Sequence, residues 1–370
     1  MASHNLKIHE QCTVAPPSAP QTTLPFLFFD LLWLRFHPVE RIFFYSLPVT
    51  HSNPSIFFTQ VVPKLKTSLS HTLQHFSPLA GNVLWPYGSP NPVIQYNPGD
   101  GVSVVLAESE ADFDHALDNA PKDASESRCL LLPFPPRLED HVRGTFVLTG
   151  ADLERLKNRV MSKWDSVDIV KAESGSNSTV SSKPTKLSTF VLTCAYTFVC
   201  IANAWNGVEN EKNKFGCGFT VDCRARMEPP IPENYFGNCV WGNLVAAKPS
   251  AFIEKEGFVI IAKSIHSKIK EILDKGVFHE ADDIAPRYEA LAKQGVEVLG
   301  TAGSNRFGVY GIDFGWGKPL KVEIASVDRA LTIGLADNRD EKVGVEVGIV
   351  MKRPVMELFA TLFRGGLSDE

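Results

Sequence analysis

The sequence contains no run of lysine and arginine residues, and its 370 residues carry a formal net charge of -5 at pH 7. A surface that binds a nucleic-acid backbone or an anionic membrane needs clustered positive charge. Long hydrophobic runs are also missing, because the most apolar stretch, LPFLFFDLLWLRF, is interrupted by Asp30 and Arg35 and is too short to span a bilayer. Neither nucleic acid nor a membrane is therefore expected as a partner.

A secretory signal is missing as well, since MASHNLKIHEQC has no basic segment followed by an apolar core. The seven cysteines include no C-x-x-C pair, which argues against a zinc site. An odd number of cysteines in a reducing compartment is typical of free thiols. We expect a cytoplasmic protein without a metal and without disulfides.

Common catalytic and nucleotide-binding motifs do not occur. Neither G-x-G-x-x-G nor G-x-S-x-G is present, and Gly317-Lys318 is followed by Pro319 and lacks the upstream glycine of a P-loop. The sequence therefore predicts neither a dinucleotide-binding fold nor a serine hydrolase.

Strand and helix signals alternate along the chain, which predicts a layered α/β or α+β fold. Leu65, Leu69 and Leu73 repeat at helical spacing behind Pro63. Further along, VRGTFVLT predicts a strand, and a capping box from Thr149 to Asp152 predicts the start of a helix.

Residues 171–186 are rich in serine, glycine and threonine, which favours a linker. It divides the chain into a domain of residues 1–170 and a domain of residues 187–370. In the second part, LSTFVLTCAYTFVCIANAW predicts a helix buried on most sides. The later FVIIAKSIHSKIKEIL carries isoleucines on one stripe and charges opposite, which predicts a surface helix.

Four short motifs occur in order along the chain: FSPLAGN from Phe76, VDCRAR from Val221, YFGNC from Tyr235 and DFGWG from Asp313. Together they resemble the plant BAHD acyltransferases. The YFGNC form resembles the branch that acylates anthocyanins and other flavonoid glycosides, often with malonyl-CoA.

The resemblance implies two chloramphenicol-acetyltransferase-like domains around a channel, with acyl-CoA as co-substrate and a glycosylated phenolic hydroxyl as acceptor. It also implies a monomer without a permanently bound cofactor. In the family, the histidine of an H-x-x-x-D motif deprotonates the acceptor. A histidine suits this step because its ordinary pKa leaves it largely neutral and basic in the cytosol.

The catalytic strand, motif and helix of the family are missing from this chain, in which the first domain is truncated near residues 129–141. One H-x-x-x-D match exists, His279 to Asp283 in FHEADD, but no apolar strand precedes it and no glycine follows it. We interpret it as a chance match in a solvated loop, where Asp282 or Asp283 caps the next helix. No catalytic residue is therefore predicted.

Lys183, Lys186, Ser188 and Thr189 have two interpretations: a solvated loop with a helix cap, or a site for the phosphates of coenzyme A. The resemblance implies that an arginine of VDCRAR pairs with the motif aspartate, and Arg224 is preferred to its neighbour Arg226 for this position. With that aspartate deleted, we expect Arg224 to be buried without a partner, so that Arg224→Met raises the melting temperature. The remaining motif residues are predicted to be structural, namely Tyr235, Gly237, Asn238, Asp313, Gly315, Trp316 and Gly317.

Three hypotheses on function follow from the sequence. The first is an acyl-CoA-dependent O-acyltransferase that transfers malonyl or hydroxycinnamoyl groups to flavonoid glycosides and is impaired by the missing base. The second is a non-catalytic coenzyme A-binding or regulatory remnant. The third is the product of altered splicing or of an incorrect gene model.

Overall fold

The computed structural model describes residues 6–34, 36–131, 140–167, 183–209, 214–245, 247–329, 331–340 and 343–368. Its strands are β1 (Leu6–Val14), β2 (Thr22–Pro25), β3 (Arg41–Phe44), β4 (Asn82–Leu84), β5 (Val93–Tyr96), β6 (Val102–Ser109), β7 (Lys122–Asp123), β8 (His141–Thr149), β9 (Lys214–Asp222), β10 (Val240–Leu244), β11 (Val296–Gly303), β12 (Lys321–Ile324), β13 (Thr332–Asp337) and β14 (Gly344–Lys352). Its helices are α1 (Phe28–Trp33), α2 (Pro54–Ile56), α3 (Val62–His75), α4 (Phe113–Leu117), α5 (Ala124–Cys129), α6 (Gly150–Ser162), α7 (Thr189–Glu209), α8 (Gly257–Lys275), α9 (Ile284–Lys293) and α10 (Arg353–Gly365).

A mixed seven-stranded sheet forms the centre of the molecule, in the order β10-β9-β11-β13-β14-β8-β7. Strand β11 runs parallel to β9 and to β13, and the other neighbours are antiparallel. Strands β8 and β14 pair along their whole length, from Thr149 opposite Gly344 to His141 opposite Lys352. The predicted layered α/β fold is confirmed.

The main hydrophobic core joins this sheet to helices α6, α7, α8 and α10, with fully buried residues such as Leu148, Phe198, Ile261 and Phe359. Helix α7 is long and apolar enough to cross a membrane by length and composition, and 67% of its most apolar window is buried inside the molecule. Such burial is typical of the core helix of a globular protein, and it confirms that this segment is a buried helix.

The strands before β7 form small separate sheets: β1 pairs with β6, β5 pairs with β2 and β4, and β3 pairs with β12 from the later part of the chain. This part of the chain has a core of its own with four buried residues, Val14, Leu73, Ala80 and Tyr96. Most of the large apolar side chains that are exposed in the described residues lie here, among them Phe36, Trp85 and Leu79. This region therefore has much less core than the seven-stranded sheet.

The local sequence signals are confirmed in two places. Helix α3 begins one residue before Pro63. At the start of α6 the Asp152 amide donates to Thr149 Oγ1 at 3.2 Å, and the Thr149 amide donates to Asp152 Oδ2 at 2.9 Å. Both termini follow rules that involve only neighbouring residues.

The prediction of a surface helix for α8 is wrong. Its first half is buried on all sides, and two of its lysines are buried as well. Lys263 donates to the backbone oxygens of Trp164 (2.6 Å) and Val167, and Lys268 forms ion pairs with Glu271 (3.2 Å) and Glu280. Lys263 has partners far away in sequence, and Lys268 has one partner within α8 and one beyond its end, so the charged stripe does not mark a solvent face.

The predicted linker lies mainly outside the described residues, and the division into residues 1–170 and 187–370 stays a prediction. The core does not follow that division, because β8 and α6 pack with the elements after residue 187. The physical reason is the pairing of β8 with β14, which places Phe146 and Leu148 against α10 and its neighbours.

Candidate functional site

The loop after β9 holds Arg224 by three contacts. Its Nη1 lies 3.0 Å from Asp222 Oδ1, its Nε donates to the backbone oxygen of Tyr235 at 3.2 Å, and its Nη2 donates to that of Gly237 at 2.8 Å. The guanidinium also lies over the Tyr235 ring, 5.8 Å from its centre. The expectation of a buried Arg224 without a partner is wrong, because the YFGNC loop and the neighbouring carboxylate satisfy it.

The YFGNC loop connects several parts of the molecule. Asn238 Nδ2 donates to Asp30 Oδ1 of α1 at 2.8 Å, and the Phe236 ring packs 5.0 Å from the ring of Phe76 in FSPLAGN. A Cβ atom at Gly237 would lie 2.2 Å from the Tyr235 hydroxyl, so a larger residue there requires the Tyr235 ring to move. Three of the sequence motifs therefore meet in one structural junction, together with α1.

The DFGWG loop is a tight turn built on Asp313. Its Oδ1 accepts backbone N–H bonds from Gly315 (2.7 Å), Trp316 (3.0 Å) and Gly317 (2.9 Å), which lower the pKa of the carboxyl. Gly315 and Gly317 have φ values of +94° and +83°, in the region that favours glycine. The Tyr45 ring packs 5.6 Å from the Trp316 ring. This geometry supports the structural interpretation, since the carboxylate is used inside the turn.

His279 and Asp283 do not form a catalytic pair. His279 Nδ1 lies 2.8 Å from the backbone oxygen of Gly276, and Nε2 lies 3.2 Å from Glu271 Oε1 in an ionic contact that is not aligned as a hydrogen bond. The imidazole is only 12% exposed, so the interpretation as a solvated loop is wrong. Asp283 is at the N-cap of α9, as predicted for either aspartate, but its side chain makes no capping hydrogen bond.

The residues predicted to contact coenzyme A lie at the start of α7. Ser188 Oγ accepts from the amide of Val191 at 3.3 Å, which confirms Ser188 as the helix cap. Lys186 is exposed, and Lys183 lies 3.8 Å from the exposed Asp165 carboxylate. Thr189 is the first residue of the helix. Two exposed lysines therefore lie just before the half-buried N-terminus of α7 in the sequence.

A buried polar cluster was not predicted from the sequence. Lys321 Nζ lies 3.0 Å from Glu323 Oε1, Lys122 Nζ lies 3.9 Å from the same atom, and Ser127 donates to Glu323 Oε2 at 2.9 Å. Both lysines also donate to the backbone oxygens of Ala116 and Asp118 at the end of α4. The only hint of this cluster in the sequence was the pair of charged residues in the strand KVEI. It was not sufficient, because Lys321 binds a backbone oxygen 205 positions away in sequence.

The charges of this cluster perturb one another. Burial and, after it, the charge of Lys321 lower the pKa of Lys122 to about 8, although Glu323 acts in the opposite direction. Burial also raises the pKa of Glu346, whose Oε2 accepts a hydrogen bond from the Tyr310 hydroxyl at 2.6 Å.

A small cavity opens between β8, β12, β13 and β14. It is lined by Arg143, Thr145, Val322, Glu323, Ile324, Gly334, Ala336, Glu346 and Gly348. Arg143 is buried and donates to the backbone oxygens of Ile324 (3.0 Å) and Ala325 (2.7 Å). No histidine lines this cavity in the part of the chain that the structure describes.

Comparisons with known proteins place these features in a family. The sequence profile of the Transferase family matches residues 5–133 and 149–364. Phenolic glucoside malonyltransferase 1 of Arabidopsis thaliana is 30% identical over 477 residues, with 99% of this chain and 98% of the relative covered. Malonyl-CoA:anthocyanidin 5-O-glucoside-6''-O-malonyltransferase of the same plant is 30% identical over 454 residues, with 98% of each covered.

The fold comparison agrees. The crystal structure of vinorine synthase superposes with a TM-score of 0.67 at 20% sequence identity, covering 96% of each chain. The chain therefore belongs to the transferase family of BAHD acyltransferases, as its four motifs predicted. Its fold is the chloramphenicol-acetyltransferase-like fold of that family.

Proposed function

We propose that the chain is an acyl-CoA-dependent O-acyltransferase by descent, with malonyl or hydroxycinnamoyl groups as donors and flavonoid or other phenolic glycosides as acceptors. The observation that carries this proposal is the alignment over 99% of the chain with a phenolic glucoside malonyltransferase. The junction of the YFGNC loop with α1 and with FSPLAGN supports it, because the family motifs take up one connected arrangement.

The start of α7 is the proposed contact for the phosphates of coenzyme A. A helix N-terminus offers backbone N–H groups and the positive end of the helix dipole, which suit a phosphate. Lys186 is exposed beside it, and among the described residues the ion pair of Lys183 is a long one of 3.8 Å to the exposed carboxylate of Asp165. Such a surface contact contributes little, so a phosphate can compete with Asp165 for this lysine.

Catalysis is impaired in this proposal because a general base is missing. The alignment of 477 residues is longer than this chain of 370, so the relative has residues for which the chain has no counterpart. The interruption of the family match between residues 133 and 149 overlaps the region near residues 129–141 where the truncation is predicted, and it supports this part of the proposal. His279 does not replace the base, because both of its ring nitrogens are already in contact with neighbouring groups: Nδ1 with the backbone oxygen of Gly276 and Nε2 with the Glu271 carboxylate.

An activity assay tests the loss of catalysis. The purified chain is incubated with malonyl-CoA or coumaroyl-CoA and a phenolic glucoside, and acylated product is measured by mass spectrometry. Loss of a general base alone costs a factor of about 10² to 10⁴ in rate, so product at the level of the buffer control is expected. Turnover that His279→Ala abolishes would identify His279 as the base and refute the proposal of impairment.

A non-catalytic coenzyme A-binding protein is the second candidate, favoured by the intact start of α7. Calorimetry with coenzyme A is expected to show binding that weakens with salt and with Lys186→Ala. Lys293→Ala is a matched control, because this lysine is exposed at the end of α9 and has no place in the proposed site. Binding that ignores both salt and Lys186→Ala would refute the phosphate contact.

A cytoplasmic location is also part of the proposal. All seven cysteines are free thiols and five of them are buried, which suits a reducing compartment. Fractionation of cells that express a tagged chain tests this, and recovery from the secretory pathway would refute it.

A further inference from the structure

The end of α8 and the turn that follows it bring three side chains with metal-binding groups together. Glu271 lies in the last turns of α8, and His279 and Glu280 lie between α8 and α9. Their ligand atoms, one from each side chain, all lie within 4.8 Å of one another. In the part of the chain that the structure describes, no other three histidine, cysteine or acidic side chains form such a group. The turn therefore offers the number of donor groups that an open zinc site needs.

The imidazole of His279 has the surroundings of a metal ligand. Its Nδ1 lies 2.8 Å from the backbone oxygen of Gly276. Because a carbonyl oxygen only accepts, Nδ1 carries a proton, and in the neutral ring the lone pair is on Nε2. Nε2 is buried and makes no hydrogen bond with the described residues. Histidine ligands of metals commonly donate the other ring N–H to a backbone carbonyl, which fixes the tautomer in this way.

The spacing of His279 and Glu271 also fits a metal. His279 Nε2 lies 3.2 Å from Glu271 Oε1. A neutral Nε2 presents its lone pair to this carboxylate oxygen, and a cation bound by both atoms removes the repulsion. Tetrahedral zinc with bonds of about 2.0 to 2.2 Å places two ligand atoms about 3.3 Å apart. Since every ligand atom of the group lies within 4.8 Å of the others, Glu280 needs to approach by no more than about 1.5 Å.

The cations around the group contact mainly the other oxygens of the carboxylates. Lys268 binds Glu271 Oε2 at 3.2 Å and also binds Glu280 Oε2. Arg287 contacts the same Glu280 oxygen at 2.8 Å. Such bonds to the far side of a carboxylate are typical behind a metal ligand. Among the described residues, the cation on Glu271 Oε1 is Lys275 at 2.8 Å, and it is exposed, so this ion pair contributes little.

The Glu271 carboxyl is ready to bind a cation at neutral pH. Burial raises its pKa, but the hydrogen bond from Lys275 and the charge of Lys268 outweigh burial and lower the pKa to about 2. A metal therefore has no proton to displace from this ligand.

We propose that Glu271, His279 and Glu280 bind a zinc ion, with a water molecule as the fourth ligand. One imidazole and two carboxylates suit zinc, whereas magnesium and calcium take oxygen ligands. The ion connects α8 to the turn that contains Phe278, whose ring packs 5.3 Å from that of Trp241 in the main core. It thereby stabilises the attachment of the turn to the core. This inference departs from the expectation of a protein without a metal, and it does not depend on the proposed catalytic or coenzyme A sites.

Calorimetry with Zn²⁺ tests the proposal on the full chain after treatment with a chelator. We expect one zinc ion to bind and to raise the melting temperature, and Mg²⁺ to do neither. Loss of a partner behind a ligand costs about 10- to 100-fold in metal affinity, so loss of the ligand itself in His279→Ala is expected to cost at least about 100-fold. His115→Ala is the matched control. His115 also lies 2.8 Å from a carboxylate, that of Glu126, but the described residues place no third ligand there, so zinc affinity is expected to stay unchanged.

Two lysine variants distinguish a metal ligand from a histidine with a purely structural role. Lys275→Ala removes the cation that competes for Glu271 Oε1, so zinc binding is expected to tighten. Lys270→Ala removes an exposed charge of α8 outside the group and is expected to leave zinc binding unchanged. A purely structural histidine predicts no tightening with Lys275→Ala.

Circular dichroism melts establish that each variant is folded, and Glu280→Gln is a second ligand variant that is expected to weaken zinc binding. Three results would overturn the proposal. The first is no zinc binding, which would leave a proton on His279 Nε2 in the place of the metal. The second is zinc binding that both His279→Ala and Glu280→Gln leave unchanged, and the third is Mg²⁺ binding as tight as that of Zn²⁺.

Discussion

Replacement of Arg224 by methionine tests how the YFGNC loop is held in place. Methionine keeps most of the apolar stem and removes the guanidinium. The change therefore breaks the bonds to the backbone oxygens of Tyr235 and Gly237 and the ion pair with Asp222. Because these partners exist, we expect Arg224→Met to lower the stability and the melting temperature, opposite to the effect inferred for an arginine without a partner.

The magnitude follows from the exposure of the contacts. Each hydrogen bond to a charged group contributes about 1.5 to 3 kcal/mol. The Arg224 side chain is 22% exposed and that of Asp222 is 57% exposed, so the ion pair adds only about 0.2 to 1 kcal/mol. With the two carbonyl bonds at the lower end of their range, the loss is about 3 to 4 kcal/mol.

Urea unfolding followed by tryptophan fluorescence measures this loss. Arg226→Met is the matched control. Arg226 is exposed, and its Nη1 donates a hydrogen bond to the backbone oxygen of Asp222 at 2.6 Å. We expect it to cost about 1 kcal/mol. A gain in stability with Arg224→Met, or equal losses for the two variants, would refute the reasoning.

Two further predictions concern the buried cluster and the YFGNC loop. Lys122 has a folded pKa of about 8 against 10.5 when unfolded, so the unfolded chain binds more protons between these values and stability rises with pH across them. Lys122→Met is expected to reduce this rise in stability by up to about 3 kcal/mol, measured by urea unfolding at the two pH values that bound this range. An unchanged pH dependence of stability would contradict the lowered pKa of Lys122. Gly237→Ala is expected to cost about 1 to 3 kcal/mol because the new methyl group collides with the Tyr235 ring, and Gly242→Ala, where nothing lies within 4 Å, is its control. Equal melting temperatures for the two glycine variants would show that the ring moves without cost.

Features set by neighbouring residues could be predicted from the sequence. The capping box at Thr149, the helix behind Pro63 and the turn residues of DFGWG depend on a few adjacent positions, and the structure contains all three. The family motifs also gave the fold, because a resemblance carries long-range arrangement that periodicity does not.

Features set by distant partners could not be predicted. The charged stripe of α8 indicated solvent, but Lys263 reaches the backbone near Trp164 and is buried. Lys122 and Lys321 share the same backbone oxygens although they lie far apart in sequence. The predicted loss of the family aspartate implied an Arg224 without a partner, whereas the carbonyls of its own loop accept its donors.

The location of the core explains why donor binding and catalysis are expected to separate in this chain. Leu187 and Val191 at the start of α7 are buried in the main core, so the proposed phosphate contact is on rigid structure. Among the described residues before 132, only Phe29 belongs to that core. The interruption of the family match between residues 133 and 149 falls at the join of these two unequal parts. The proposed truncation there would remove the base but would leave in place the elements that support α7.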